Sequence, residues 1–130
     1  MARPLFTTAA LLGGIAVTAG SFGAHALKES LDRAGQTANW ETAVRYALFH
    51  AIAALIAVVA AEMTSFSASR KWLLTAGWCF LVGSAIFSGF LFAMALSGIR
   101  ILGAVVPIGG VLLIAGWILF AASGLRHSRG

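Results

Sequence analysis

The chain has 130 residues, of which 60% are hydrophobic and only 10% are charged, with a mean hydropathy of +0.94. Soluble domains carry about 25% charged residues, so this composition excludes a water-soluble globular protein. The formal net charge is +5, but Lys and Arg stand singly or in pairs, without a long basic run or a basic helix face. That distribution argues against a nucleic-acid partner and is typical of residues beside membrane spans.

The sequence holds four apolar segments, each close to the ~20 residues that a helix needs to cross the hydrocarbon core of a bilayer. They cover residues 5–26, 43–61, 72–96 and 101–123. Together they leave no room for a separate soluble domain. We therefore predict an all-α, polytopic integral membrane protein, in which residues 1–130 form a single domain of four transmembrane helices in an antiparallel bundle.

Local signals predict where the first two helices begin and end. The pattern after the first apolar segment predicts one continuous helix over residues 4–34, with Gly35 as its C-cap. Glu29 and Arg33 are predicted to pair one turn apart near its end. Asn39 is the predicted N-cap of the second membrane helix.

The fourth span contains Pro107 about two turns from its start, followed by Gly109 and Gly110. Proline removes a helix hydrogen bond and glycine loosens the next turn, so we predict that helix 4 is kinked near Pro107. The kink has two interpretations. It fits the helix to its neighbours, or it breaks the helix so that free carbonyl groups line a site, as in some transporters.

Small residues recur every four positions in the first and third spans and predict the faces through which the helices pack. They are Ala16, Gly20 and Ala24 in the first span, and Ala85, Gly89, Ala93 and Ser97 in the third.

The distribution of basic residues predicts the orientation of the bundle. One side holds five of them, namely Arg3, Arg70, Lys71, Arg126 and Arg129, and the other holds four, namely Lys28, Arg33, Arg45 and Arg100. This bias predicts that both termini are cytoplasmic. Aromatic residues are then predicted to form an interfacial belt on the cytoplasmic side that includes Trp117 and Phe120.

Polar residues near the apolar spans form the candidate site. His25 and Lys28 share one face of the first helix, and Tyr46 and His50 share one face of the second. If Lys28 and Arg45 lie level at the membrane edge, the two histidines and Tyr46 lie at similar depths. We therefore predict that His25, Tyr46 and His50 meet through hydrogen bonds beneath Lys28, while Arg45 pairs with Glu41, one turn before it.

Four interpretations of this cluster remain open. It pins two helices together and anchors them at the headgroups. It binds a lipid headgroup or a small anion through its basic groups. It carries protons through the histidines. It holds a metal or haem between His25 and His50, although no Cys or carboxylate beside them completes a zinc site, so no metal or other cofactor is expected.

Several motifs carry a family resemblance. Segment 21–28, SFGAHALK, is similar to the GAFGAHxLK signature of the YgdD/YwdK group, small bacterial membrane proteins classed as a domain of unknown function. Segment 42–51 resembles its TAxxYxxxHA motif, segment 83–89 its GxxxFSG motif, and segment 102–117 its LGxxxPxGG…GW pattern. At 90–92 the chain has Phe-Leu-Phe where the group usually has a serine or tyrosine. The resemblance implies a four-span inner-membrane protein with no established activity, and its motif residues include His25, Lys28, Tyr46, His50, Ser88, Pro107 and Gly109.

We expect a non-enzymatic accessory or scaffold protein of the bacterial inner membrane, associated with lipid and with copies of itself or a larger membrane complex. No paired carboxylates or nucleophile–base set is visible, so no catalytic residue is assigned. An enzyme would have to use His25 or His50 as acid or base, without a partner. The alternative is a small oligomeric transporter or channel. Small multidrug transporters use a glutamate in the first helix, and residues 5–28 contain no acidic residue.

Overall fold

A computed structural model describes residues 1–127, with side chains through Leu125. The described residues form five α-helices and two short 3₁₀ segments, without a strand. The α-helices are α1 (Ala2–Ala24), α2 (Lys28–Ala34), α3 (Thr37–Glu62), α4 (Arg70–Ser97) and α5 (Val106–His127), and the 3₁₀ segments are Thr64–Ser69 and Arg100–Ala104. Four helical stretches are long and apolar enough to cross a membrane, namely Ala2–Ala24, Thr37–Glu62, Thr64–Ser97 and Arg100–Leu125. The predicted all-α membrane fold is confirmed.

The four long helices run alternately up and down, and α3 and α4 form the central pair. Helix α1 packs along α3, and α5 packs along α4 on the other side. The main core lies toward the end of the bundle that holds the N-terminus, around Leu5, Leu73, Leu74 and Phe80. We call this the terminal end and the opposite one the α2 end. A smaller cluster at the α2 end joins Leu31 of α2 to α3 and α4.

The prediction of one helix over residues 4–34 was wrong. Helix α1 ends at Ala24, and His25 has φ −124° and ψ −86°, outside the helical region. The Leu27 amide donates to the Phe22 carbonyl at 2.8 Å instead of continuing the helical pattern. The break has a packing reason, because it folds α2 back so that Leu31 is buried against Trp40. A continuous helix would carry Leu31 out into water.

The end of α2 agrees with the sequence, but the start of α3 does not. Gly35 ends α2 with φ 64°, a left-handed conformation that glycine adopts without strain. The predicted pair of Glu29 and Arg33 is present. Helix α3 begins at Thr37 with Gln36 as its N-cap, so Asn39 lies inside the first turn, where its amide donates to the Gln36 side chain at 2.8 Å. The short connection from Gly35 forces this early start.

The predicted irregularity near Pro107 lies directly before that residue. The 3₁₀ segment Arg100–Ala104 precedes α5, and Pro107 falls in the first turn of the α-helix. Proline costs no hydrogen bond there, because the first amides of a helix have no partner within it. The helical path therefore changes at this point without a broken turn in the interior of α5.

The packing face predicted for the third span was wrong. Its small residues Ala85, Gly89, Ala93 and Ser97 are all exposed on the outside of α4. The buried face carries large, small and polar residues, among them Leu81, Gly83, Ser84 and Ser88. In α1, Ala16 is buried and Gly20 lies against Val44, so that prediction holds for part of the stripe.

Candidate functional site

His50 lies halfway along α3 and is the one buried titratable side chain in the part of the chain that the structure describes. Its Nδ1–H donates to the Tyr46 carbonyl at 2.7 Å, and the Trp117 indole Nε1–H donates to His50 Nε2 at 3.1 Å. An indole nitrogen can only donate, so Nε2 must be the acceptor and Nδ1 carries the proton. The two bonds together define a neutral imidazole.

Aromatic rings surround this imidazole. The Tyr46 ring stacks on Phe87 with centroids 4.4 Å apart. Phe80, which is fully buried, lies 5.6 Å from His50 and 4.9 Å from Trp117, measured between ring centroids. The rings belong to α3, α4 and α5, so this cluster ties three helices together at mid-membrane depth. The predicted association of Tyr46 with His50 is present, but it runs through the Tyr46 backbone carbonyl.

His25 is not part of the cluster. A Cβ on Gly13 would lie 3.8 Å from Ala51 Cβ, so this part of α1 is level with His50. His25 lies twelve residues further along α1, which at ~1.5 Å per residue is about 18 Å away. It is exposed at the turn between α1 and α2. The prediction that His25 and His50 meet was wrong, because the sequence argument took Lys28 and Arg45 as level.

Lys28 is also outside the cluster. Its ammonium group donates to Asp32 Oδ2 at 2.9 Å within α2, and this hydrogen bond, followed by the attraction of the Asp32 charge, raises the pKa of Lys28 above its usual value. The Thr37 hydroxyl donates to the other carboxylate oxygen at 2.6 Å. That hydrogen bond, and then the one from Lys28, lowers the pKa of Asp32. Lys28 therefore stabilises α2 and does not cap His50.

Arg45 is exposed on α3, one turn before the imidazole. Within residues 1–125 the ion pairs are Lys28–Asp32, Glu29–Arg33 and Glu62–Arg70. The predicted ion pair of Arg45 with Glu41 is therefore not formed, and the Arg45 guanidinium is free to meet a ligand or lipid. At the opposite end of α3, Arg70 donates to Glu62 at 2.8 Å.

Of the three remaining candidates, Ser88 and Gly109 hold helices together. The buried Ser88 hydroxyl donates to the Ala43 carbonyl of α3 at 2.7 Å. Gly109 is buried where α5 meets α4, and a Cβ there would lie 2.5 Å from the Phe87 backbone nitrogen. Only glycine allows so close an approach. Pro107 is exposed at the start of α5.

A groove opens toward lipid between α3 and α5. Its volume is about 830 Å³, within the ~300–1,000 Å³ range of ligand pockets. Helix α5 packs along α4 and bridges to α3 through the Trp117–His50 hydrogen bond, which leaves this space between α3 and α5. The walls are exposed apolar side chains, mainly those of Phe49, Ile52, Ile56, Ile114 and Trp117. Among the described residues, Arg45 is the only charged one in the lining.

This arrangement favours binding over reaction chemistry. Both nitrogens of His50 are engaged, and the described residues contain no group of three or more His, Cys, Asp or Glu side chains that could hold a metal. The distance between His25 and His50 prevents them from sharing a metal or a haem. A groove with one cation at one end and apolar walls is suited to an amphiphile.

Trp117 is the residue that sequence reasoning missed. It was predicted to lie in an interfacial belt, whereas it lies near the middle of α5, level with His50. The distance of Trp117 from the start of its helix could have predicted that it lies at the depth of His50. His50 is thirteen residues from the start of α3 and Trp117 is eleven from the start of α5, so both fall at mid-span once the short connections are assigned.

Comparisons with known proteins place the chain among bacterial membrane proteins. Residues 19–110 match the family described as "Protein of unknown function (DUF423)". The chain is 41% identical over 114 residues to a UPF0382 membrane protein of Staphylococcus haemolyticus, with 88% of each chain covered. It is 35% identical over 114 residues to the UPF0382 membrane protein YwdK of Bacillus subtilis, with 87% of this chain and 89% of the relative covered. No solved structure matches the chain.

Proposed function

Because the chain belongs to the DUF423 family of membrane proteins, we propose that it is a non-enzymatic accessory or scaffold protein of the bacterial cytoplasmic membrane. It associates with lipid and with either copies of itself or a larger membrane complex. The family resemblance predicted from the sequence motifs is confirmed by this membership, and the relatives are named only as membrane proteins.

One observation carries the proposal: three side-chain hydrogen bonds within the bundle join neighbouring helices. Trp40 donates to the Ala19 carbonyl at 2.9 Å, Ser88 donates to Ala43, and Trp117 donates to His50. These groups are committed to helix packing, so they support a stable bundle rather than a reaction centre. The outward faces of α1 and α5 are apolar, as a protein that associates within the membrane requires.

We propose that both termini are cytoplasmic. This orientation rests on the basic residues at the terminal end, since Lys and Arg are enriched in cytoplasmic loops. Arg3, Arg70 and Lys71 lie there, while Arg129 lies outside the described residues and the side chain of Arg126 is not described. A C-terminal fusion to green fluorescent protein should fluoresce and a fusion to alkaline phosphatase should be inactive. The reverse pattern would contradict this orientation.

The alternative of a transporter or channel depended on a polar site that the four candidate residues do not form. It required His25, Lys28, Tyr46 and His50 to form one polar site at the α2 end, and His25 and Lys28 lie far from His50. We expect a His25→Ala, His50→Ala double variant in liposomes to show the same ion and solute flux as the wild type. A flux that exists in the wild type and is lost in the variant would overturn the accessory role.

Native mass spectrometry of the protein released gently from its own membrane tests the proposed function. The expected result is a species heavier than the 13.5 kDa chain, with retained lipid, further copies of the chain or a foreign subunit. A chain that always ran alone and free of lipid would sink the proposal. The same protein released with a harsh detergent is the control for loss of weak partners.

A further inference from the structure

The groove between α3 and α5 has a polar end and an apolar length. It follows α3 from Arg45 to Ile56, eleven residues or about 16 Å at ~1.5 Å per residue. Beyond Arg45, the polar lining residues are Tyr46 and His50, and the other side chains of the lining are apolar or belong to Trp117. Phe49, Ile52 and Ile56 are between 48% and 58% exposed. An unbranched hydrocarbon chain would cover these side chains along the whole length of the groove.

The depth of Arg45 matches that of lipid phosphates. The ion pair of Glu62 with Arg70 marks the terminal edge of the membrane. Arg45 lies seventeen residues before Glu62 on α3, about 25 Å away, whereas the hydrocarbon core is ~30 Å thick. The long side chain of Arg45 can therefore extend to the headgroup layer at the α2 end. An arginine at this depth is suited to a phosphate, which it can bind through two hydrogen bonds.

The charge of the groove selects among the possible occupants. No Asp or Glu among the described residues lines it, and Arg45 forms no ion pair with Glu41, one turn before it. In a two-fold symmetric dimer through this face, the same residues of both copies would meet at the same depth. Two Arg45 guanidinium groups would then lie at the same depth and repel each other, which is unfavourable. An anionic amphiphile neutralises Arg45, and a second copy does not.

We propose that the groove between α3 and α5 binds an anionic phospholipid, with its phosphate at Arg45 and one acyl chain along the apolar walls. The Tyr46 hydroxyl, which has no hydrogen-bond partner among the described residues, lies at the same end as a second donor. This inference deepens the lipid association of the proposed function and rests on it. It adds the site, the headgroup charge and the residues that recognise the lipid.

Titration of the delipidated full chain with phosphatidylglycerol and phosphatidylcholine of identical acyl chains, followed by native mass spectrometry, tests the site. A basic residue near the membrane surface contributes ~1 kcal/mol toward an anionic lipid, so the wild type should prefer phosphatidylglycerol by about fivefold. Arg45→Gln should abolish that preference. Arg100→Gln is the matched control, since it removes an arginine at the same end but outside the groove, and it should retain the preference.

The acyl-chain half of the site needs a separate pair of variants. Ile114 lies on the groove wall and Ile118 lies one turn further along α5, outside it; they are 62% and 63% exposed. Both positions tolerate a larger side chain because neither is buried. Ile114→Trp should fill the groove and weaken binding of both lipids by about fivefold or more, an expected loss of ~1 kcal/mol. Ile118→Trp should leave both affinities unchanged.

Each other outcome overturns the inference in a recognisable way. Lipid retained equally by the wild type, Arg45→Gln and Ile114→Trp places the lipid elsewhere, while the proposed function survives. A preference lost in Arg100→Gln as well as in Arg45→Gln shows a general surface charge effect. A dimer that dissociates in Ile114→Trp without any change in lipid binding identifies a second copy as the occupant. A wild type that binds neither lipid, nor any partner, removes both proposals.

Discussion

Helix α5 meets its two neighbours in different ways. Against α4 it packs through glycines, so that a Cβ on Gly109 would lie 2.7 Å from the Gly83 carbonyl oxygen. Against α3 it has the hydrogen bond from Trp117 to His50 and an open groove. Lipid tails are as apolar as the helices, so burial of apolar surface does not drive helices together in a bilayer. Close backbone contact and hydrogen bonds between side chains are two ways to replace that driving force. Only close backbone contact leaves no groove between the two helices.

The two contacts also differ in what they permit. The glycine contact brings the backbones of α4 and α5 together, so any added atom must push a helix aside. The contact of α3 with α5 depends on two side chains that could shift without moving a helix. The comparison therefore predicts a rigid α4–α5 pair beside an adaptable α3–α5 groove.

The largest expected effect is that of Gly109→Ala. Its new Cβ would lie 2.5 Å from the Phe87 nitrogen and 2.9 Å from Phe87 Cα, and backbone atoms cannot rotate away. Overpacking of this kind costs about 1–3 kcal/mol, and we expect the upper part of that range. Gly89→Ala is the matched control in α4, because nothing lies within 4 Å of its Cβ. It should be neutral or stabilising, since Ala is the better helix former.

Unfolding of both variants in mixed micelles measures this difference. A loss of stability for Gly109→Ala alone supports backbone contact as the basis of the α4–α5 pair. Equal stability of the two variants would contradict it and would mean that α4 and α5 are less tightly packed than the structure indicates.

The next effect is that of Trp117→Phe, which keeps an aromatic ring and removes the bond to His50. Hydrogen bonds between membrane helices average ~0.6 and reach ~1.7 kcal/mol. The variant also leaves His50 Nε2 without a partner, so a cost of about 1 kcal/mol is expected. A double-mutant cycle with His50→Phe isolates the interaction. Additive effects of the two substitutions would show that the hydrogen bond does not hold α5 to α3.

Two serines on α4 test the role of hydrogen bonds between helices, with a smaller expected effect on stability. Ser88 donates to Ala43 on the neighbouring helix, whereas the equally buried Ser84 hydroxyl has no hydrogen-bond partner. Ser88→Ala should therefore cost ~0.6 kcal/mol. Ser84→Ala should be neutral or stabilising, because it removes a buried polar atom without a partner. The reverse order of stabilities in the micelle assay would refute the assignment of Ser88 as the link between α3 and α4.

The sequence predicted the elements better than their relative positions. Apolar length alone revealed the four spans, and local rules gave the end of α2 at Gly35 and the pair of Glu29 with Arg33. Depth was the main error, because α1 was extended through His25 and aligned with α3 by its charges. With the two helices correctly aligned, His25 lies twelve residues, or about 18 Å, from the level of His50.

Lateral contacts were the second source of error. Every face of a membrane helix is apolar, so composition does not distinguish the lipid side from the packed side. The exposed stripe that includes Ala85 and Gly89 was taken for a packing face for that reason. The groove depends on which helices are neighbours, and the partnership of His50 with Trp117 follows from that arrangement. The sequence periodicity within one helix predicts neither the groove nor the pairing of His50 with Trp117.

The smallest expected effect is on α2, a third kind of contact that depends on exposed charges. The pKa of Asp32 is lowered by the Thr37 hydroxyl and then by Lys28, so its stabilisation is present above the usual value of 3.8 and is lost as pH falls through the lowered pKa. The pKa of Lys28 is raised, so its share is complete below 10.5 and is lost only as pH rises further. The Cα chemical shifts of Lys28–Ala34 should therefore report constant helicity from about pH 5 to 9 and a modest loss below about pH 4. Thr37→Val removes the larger cause and should move that acid loss to higher pH. A helix that melted on acidification at the same pH in both proteins would show that Thr37 does not hold the carboxylate.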